Sequence, residues 1–241
     1  MIPTPRTIEL HDTDGLAFAA TEWDGGRREA VVLVHGLLGT RSLREIIRVA
    51  EALAPRRDVV AIDVRGHGDS PGRFTWGREE WKQVAAAVAH AARPGRSVAV
   101  VGFSYGGYHA VRAAARGAPI ERLVLVGAPA DLHVLDHFPF GPKLWRHVPA
   151  VLNRRRRRLR AEAPPRPAEA KLTDEELRRV TAPALVVHGG SDWLISSRHA
   201  ERYAAGLPSV RRAEIAGGFH GEYLVHSHGD ELIALIAAFL P

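Results

Sequence analysis

The chain has 241 residues, 46% of them hydrophobic and 25% charged, with no cysteine and a formal net charge of +6. That length and balance suit one large globular domain with a substantial core. The missing cysteines exclude disulfide scaffolding, thiolate catalysis and cysteine-ligated metal sites.

The first residues, MIPTPRTIELHDTDG, lack the charged-then-apolar order of a signal peptide, and a cytoplasmic location is expected. Thr7–Leu10 and Leu16–Trp23 flank Asp12-Thr13-Asp14-Gly15, the composition of a hairpin turn. Beyond them, short β-branched runs alternate with longer stretches of helical spacing. Strands are predicted at Ala30–Val34, Val59–Asp63, Val98–Phe103, Leu123–Val126 and Ala184–Val187, with a last one at Val210–Ala216. The inner runs are nearly continuous in apolar character, as strands covered on both faces are. Helices are predicted at Ser42–Ala54, Arg78–Ala92, Tyr105–Arg116, Ser196–Ala205 and Asp230–Leu240. The fold class is therefore α/β: a mostly parallel central sheet with helices on both faces. No apolar run approaches the ~18 residues that a membrane span needs.

One stretch breaks the alternation. From Pro129 to Ala182, roughly 50 residues lie between the strand at Leu123–Val126 and the one at Ala184–Val187, too many for an ordinary connection. Residues 129–182 are read as a small helical cap or lid, inserted in a core made of 1–128 and 183–241. The cap carries apolar anchors, then Arg154–Arg158 with Arg160 beside them, then a proline-rich segment. Last comes LTDEELRRV, in which Thr173 and Glu176 have the spacing of a capping box. No aromatic residues interleave with the arginines to stack bases, so the run reads as a solvated helix face and nucleic acid is not expected as a partner.

The chemistry concentrates in a few loops. Gly102-Phe103-Ser104-Tyr105-Gly106-Gly107 follows an apolar strand and precedes a helical run. A serine there sits on a tight strand-to-helix turn, and the glycines two before and two after it leave room that side chains would fill. Its hydroxyl projects above the sheet edge. The backbone N–H of Tyr105 faces the same space at a helix N-terminus, where negative charge is favoured.

A serine nucleophile needs a base, and the base needs an orienting group. His220 lies in a glycine-flanked loop, AGGFHG, after the last strand, and Asp192 lies in HGGSD just past the strand ALVVH. All three side chains are predicted beyond the carboxyl ends of their strands, the edge where ligands gather in open α/β sheets. The chain has 13 histidines, so position must select among them. His226 and His228 fall where the final helix is expected to begin and suit the role less well. Asp131, after LVLVG, competes for the orienting carboxylate, and Asp192 is preferred for its tight, glycine-rich loop. A second oxyanion donor is expected from VLVHGLLGT, as the backbone N–H of Leu37, with His35 bracing that loop. The segment Asp63–Ser70 reads as a tight turn held by local hydrogen bonds, because its His and Asp residues lack a second cluster to complete a metal site.

Four segments in this order, HGLLGT, DVRGHGDS, GFSYGG and the pair HGGSDWLI with GGFHGEYL, resemble the α/β-hydrolase superfamily across nearly the whole chain, the cap excepted. The resemblance implies a serine-nucleophile, esterase- or lipase-like member with a short cap. It puts Ser104, Asp192 and His220 in the catalytic triad and the N–H groups of Leu37 and Tyr105 in the oxyanion hole. Relatives that open epoxides or remove halides use a carboxylate where Ser104 stands, so the resemblance points away from those reactions. The expected activity is cleavage of a small-molecule acyl ester through an acyl-enzyme, with no metal or organic cofactor. Two alternatives stay open. One is a thioesterase or acyltransferase whose cap arginines meet an acidic carrier or a phosphopantetheine arm; the other is a ligand-binding protein that kept the fold. The acyl and alcohol groups and the oligomeric state are not legible.

Overall fold

The computed structural model describes residues 2–131, 159–162 and 171–241. The expected cap falls mostly on 132–158 and 163–170, and the run Arg154–Arg158 is within it; these lie outside the described residues.

Eight strands form one sheet: β1 (Arg6–His11), β2 (Ala17–Trp23), β3 (Glu29–Val34), β4 (Asp58–Ile62), β5 (Ser97–Phe103), β6 (Arg122–Val126), β7 (Ala184–Gly189) and β8 (Val210–Ile215). Their spatial order is β1-β2-β4-β3-β5-β6-β7-β8. The first hairpin is antiparallel, with Arg6 opposite Glu22 and His11 opposite Ala17, and β2 joins β4 antiparallel. Every later pairing is parallel. At the hairpin turn Asp12 caps its own loop, its Oδ1 accepting from the N–H groups of Asp14 and Leu16 at 3.0 Å, while Gly15 takes a φ of 79°.

Six helices are described: α1 (Arg44–Leu53), α2 (Glu80–Ala91), α3 (Tyr105–Ala115), α4 (Asp174–Arg178), α5 (Ser197–Gly206) and α6 (Glu222–Phe239). The strand pleat explains how the sheet serves two cores. On β3, Ala30, Val32 and Val34 face the layer containing α2, α3, α4 and α5; Val31 and Leu33 face α1 and α6. β5 divides the same way, with Val98 and Val100 on one side and Ala99, Val101 and Phe103 on the other. Both faces are covered, so the inner strands carry no polar alternation. Each fully buried Val, Leu, Ile or Phe contributes about 1.5–3 kcal/mol relative to an exposed position.

The expected elements match within two residues at each end, with one correction. The last helix begins at Glu222, not at Asp230. It has non-helical angles at His228 (φ −136°, ψ 37°), so the expected start marks only its second segment. The first segment is anchored by buried Leu224 and Val225. At the break, Arg48 of α1 donates to the Val225 carbonyl at 3.1 Å and to Asp230 Oδ1 at 2.6 Å, joining the two segments of the helix. At the other predicted landmark, α4 opens with the expected capping box: the Glu176 N–H donates to Thr173 Oγ1 at 3.1 Å, and the Thr173 N–H donates to Glu176 Oε2 at 3.0 Å. Among the described residues, no helix is long and apolar enough to cross a membrane.

Candidate active site

Three loops at the carboxyl edge of the sheet converge. Ser104 stands between β5 and α3 with φ 49° and ψ −121°, left-handed angles that cost a non-glycine residue about 1–3 kcal/mol. The surroundings enforce them. The Ser104 N–H donates to the Val126 carbonyl at 2.8 Å, and the Ser104 carbonyl accepts from Gly107 N–H at 3.0 Å. The flanking glycines are required by contact: a Cβ on Gly102 would lie 2.4 Å from Gly107 N, and one on Gly106 would lie 2.2 Å from the Val34 carbonyl oxygen.

His220 follows β8. Its Nε2 is 2.8 Å from Ser104 Oγ and its Nδ1 is 2.8 Å from Asp192 Oδ2. A carboxylate only accepts, so Nδ1 carries the proton and Nε2 is left to accept from the serine hydroxyl. Asp192 is fixed in turn. Its side chain is fully buried, and its Oδ1 accepts from the N–H groups of Leu194 at 3.0 Å and Ile195 at 2.8 Å. The Ser191 N–H donates to the Gly218 carbonyl at 2.9 Å and joins the two loops that carry Asp192 and His220. Gly127, at φ 57°, leaves space beside the pair: a Cβ there would lie 2.9 Å from Gly221 N and 3.3 Å from His220 Nδ1.

The structure thus brings Ser104, His220 and Asp192 onto one hydrogen-bonded line. Asp131 is not on it; its backbone forms an isolated bridge with Lys171. His226 and His228 lie on α6, and His228 Nδ1 meets Ser227 Oγ at 2.9 Å.

The loop after β3 is held as firmly. His35 is 1% exposed; its Nε2 accepts from Val64 N–H at 3.2 Å, so its Nδ1 is protonated and donates to the Gly36 carbonyl at 2.7 Å. The Gly39 N–H reaches the same carbonyl at 2.9 Å, closing a turn in which Leu38 takes φ 65°. In a trans peptide the carbonyl and the following N–H point in opposite directions. Locking the Gly36 carbonyl into the turn therefore aims the Leu37 N–H away from it. Among the described residues, nothing accepts from the N–H of Leu37 or of Tyr105. The expected bracing role of His35 is what the geometry gives it.

Sequence reasoning missed Glu222, whose Oε1 accepts from Gly36 N–H at 2.5 Å. Its position two residues after His220 was the available signal, obscured by placing the helix start too late. The segment Asp63–Ser70 is structural as read, though its bonds are not only local. Asp63 accepts from the Arg41 N–H at 2.6 Å, from the Arg41 guanidinium and from Asp69 N–H at 3.0 Å. Behind Tyr105 lies a buried aromatic cluster in which Phe74 meets His67, Trp76, Tyr105 and His109 edge-on. Burial, with the neighbouring His35 adding to it, pushes the His67 imidazole down to about 3, and burial holds His109 well below its ordinary value.

Comparison with known proteins agrees with this architecture. The family model described as alpha/beta hydrolase fold matches residues 29–176. The uncharacterised protein Rv2307c of Mycobacterium tuberculosis is 28% identical over 237 residues, covering 90% of this chain and 73% of that protein. Among solved structures, the Pyrococcus furiosus esterase Pf2001 superposes with a TM-score of 0.76 at 19% identity, over 98% of this chain and 91% of that one. The carboxylesterase CesB (YbfK) of Bacillus subtilis gives a TM-score of 0.76 at 15% identity, over 98% and 91% of the two chains. At such identities the likeness to these structures is one of fold.

Proposed function

The chain belongs to the α/β-hydrolase fold family, and within it we propose that this protein is a serine hydrolase that cleaves carboxylic esters of small molecules through an acyl-enzyme. The observation that carries the reading is the unbroken line from Asp192 through His220 to Ser104, with 2.8 Å on either side of the imidazole. His220 Nε2 takes the proton as Ser104 Oγ attacks the acyl carbonyl, and Asp192 stabilises the imidazolium that forms. The N–H groups of Leu37 and Tyr105 receive the charge that develops on the carbonyl oxygen; one such donor is typically worth on the order of 10²–10³ in rate. His220 returns the proton to the leaving alcohol, which departs. Water then attacks the acyl-enzyme with the same imidazole as base and frees the acid. Side chains and water suffice for every step.

The test is direct. The wild type is expected to hydrolyse short p-nitrophenyl esters and to take a fluorophosphonate label on Ser104. Ser104→Ala should take no label and lose activity by a factor on the order of 10⁶. Unchanged ester turnover in that variant, or labelling elsewhere in the wild type, overturns the proposal.

A further inference from the structure

We infer that Glu222 is a positioning residue that ties the loop bearing the base to the loop bearing the Leu37 oxyanion donor. The inference rests on the serine-hydrolase reading above and adds a residue to it.

The contact spans 186 residues of sequence, from the first residue of α6 to the loop after β3. The Glu222 carboxylate is fitted into the concave side of the turn made by Gly36, Leu37, Leu38 and Gly39. A Cβ on Gly36 would lie 3.1 Å from both carboxylate oxygens, and one on Gly39 would lie 3.1 Å from Oε1. Both glycines therefore leave the space that the carboxylate fills. The same hypothetical Gly36 Cβ would lie 2.9 Å from Ser104 Cβ, which puts the clamp against the nucleophile.

Three bonds act together on one residue. The Gly36 N–H donates to Glu222, and the Gly36 carbonyl accepts from His35 Nδ1 and from Gly39 N–H. His35 and Gly39 hold the peptide that contains the Leu37 N–H; Glu222 holds the peptide before it. With both peptides fixed, the Leu37 N–H has one direction left to point. Releasing one of them lets the turn rock about Gly36, the residue least able to resist rotation.

The other end of the clamp is equally short. Only Gly221 separates Glu222 from His220, and its angles, φ 51° and ψ −124°, nearly repeat those of Ser104. A Cβ on Gly221 would sit 3.4 Å from Ser104 Cβ, so the base loop, the elbow and the oxyanion loop are in mutual contact here. Placing the carboxylate in the first turn of α6 also sets it at the end of the helix that favours negative charge. Glu222 makes no hydrogen bond to the Ser104 hydroxyl or to the His220 imidazole; it acts through the backbone of Gly36.

The experiment compares wild type with Glu222→Ala, Glu222→Gln and Glu222→Asp. Four quantities are read: kcat, KM, the inhibition constant of an alkyl trifluoromethyl ketone, and the melting temperature. The ketone forms a tetrahedral adduct with the serine and puts an oxyanion in the hole, whereas KM for the ester reports mainly the ground state. Glu222→Ala is expected to lower kcat about 10- to 100-fold with little change in KM, and to weaken the ketone in proportion, as a misplaced donor does. Glu222→Gln keeps an acceptor of the same reach and should recover most of both losses. Glu222→Asp keeps the charge but falls short of Gly36, and should behave like the alanine variant even if that variant folds poorly. Wild-type kcat and ketone affinity in folded Glu222→Asp or Glu222→Ala overturn the inference, as does a kcat loss with unchanged ketone affinity. If instead the wild type neither turns over esters nor takes the fluorophosphonate label, the serine-hydrolase reading fails first. An active, labelled wild type with an indifferent Glu222 sinks this inference alone.

Discussion

At the scale of single residues, the proposed hydrolysis depends on the tautomer of one imidazole. Asp192 is buried with two backbone N–H groups on one oxygen and His220 on the other, so it can neither turn away nor donate. Asp192→Asn keeps the shape but offers a donor where an acceptor is needed. The imidazole then puts its proton on Nε2, facing the serine, and can no longer accept. Ester turnover should fall on the order of 10³–10⁴, with the fold intact by circular dichroism. Asp131→Asn, made in parallel, should leave turnover close to wild type. The reverse pattern would transfer the acid's role to Asp131. That Asp192 rather than Asp131 meets the imidazole was legible in the sequence because the glycines around Asp192 signal a tight loop. Glu222 was not legible, since its partner is the backbone of a glycine far away in the chain and nothing in the local pattern announces that pairing.

At the scale of elements, close approach of α3 to the sheet sets the elbow. Gly106 passes so near the end of β3 that an added methyl group would meet the carbonyl oxygens of Val34 and His35, at 2.2 and 2.7 Å. Both are backbone atoms, so the helix itself would have to retreat and carry Ser104 with it. Gly106→Ala should therefore cost about 1–3 kcal/mol of stability, measured by urea unfolding, and slow fluorophosphonate labelling of the folded protein. Stability and labelling equal to wild type would show that the helix can shift without consequence. Element boundaries were legible where burial is two-sided, because runs such as VAVVGF and LVLV have no solvent face to interrupt them. They were misread at α6. The segment Glu222–Ser227 is short, opens directly after Gly221 and contains Tyr223, Val225 and His226, residues of modest helix propensity, so it does not look like a helix on its own. Burial of Leu224 and Val225 and the Arg48 contact make it one, and these are tertiary facts.

At the scale of the whole molecule, stability should depend on pH through histidines kept neutral in the interior. His67 is held at about 3 and His109 well below its ordinary value, both chiefly by burial; burial likewise lowers His199. Unfolding frees each imidazole to protonate near 6.5. Between that value and the folded-state value, the unfolded chain binds more protons than the native one. The stability due to these groups is therefore present above about 6.5 and declines as the pH falls, at most by about 1.4 kcal/mol per pH unit for each histidine. Carboxylates lowered by ion pairs enter only at more acid pH; Asp24, held at about 2 chiefly by its bond from Arg93, loses its contribution below the ordinary carboxylate range. Glu80 works in the opposite sense. Burial raises it, so its contribution is present below 4.5 and is lost as the pH rises through its folded-state value. A variant isolates the histidine effect from that opposing one. Among the described residues, His109 has no hydrogen-bond partner at either ring nitrogen, and its ring packs among Phe74, Tyr105 and Tyr108. His109→Phe keeps an aromatic ring there and removes the proton-binding site. Urea unfolding at pH 7 and pH 5 should show the wild type losing more stability between the two than the variant does, by about 1–2 kcal/mol. Equal losses in both proteins would mean that His109 protonates in the folded state, and that water reaches the cluster behind Ser104.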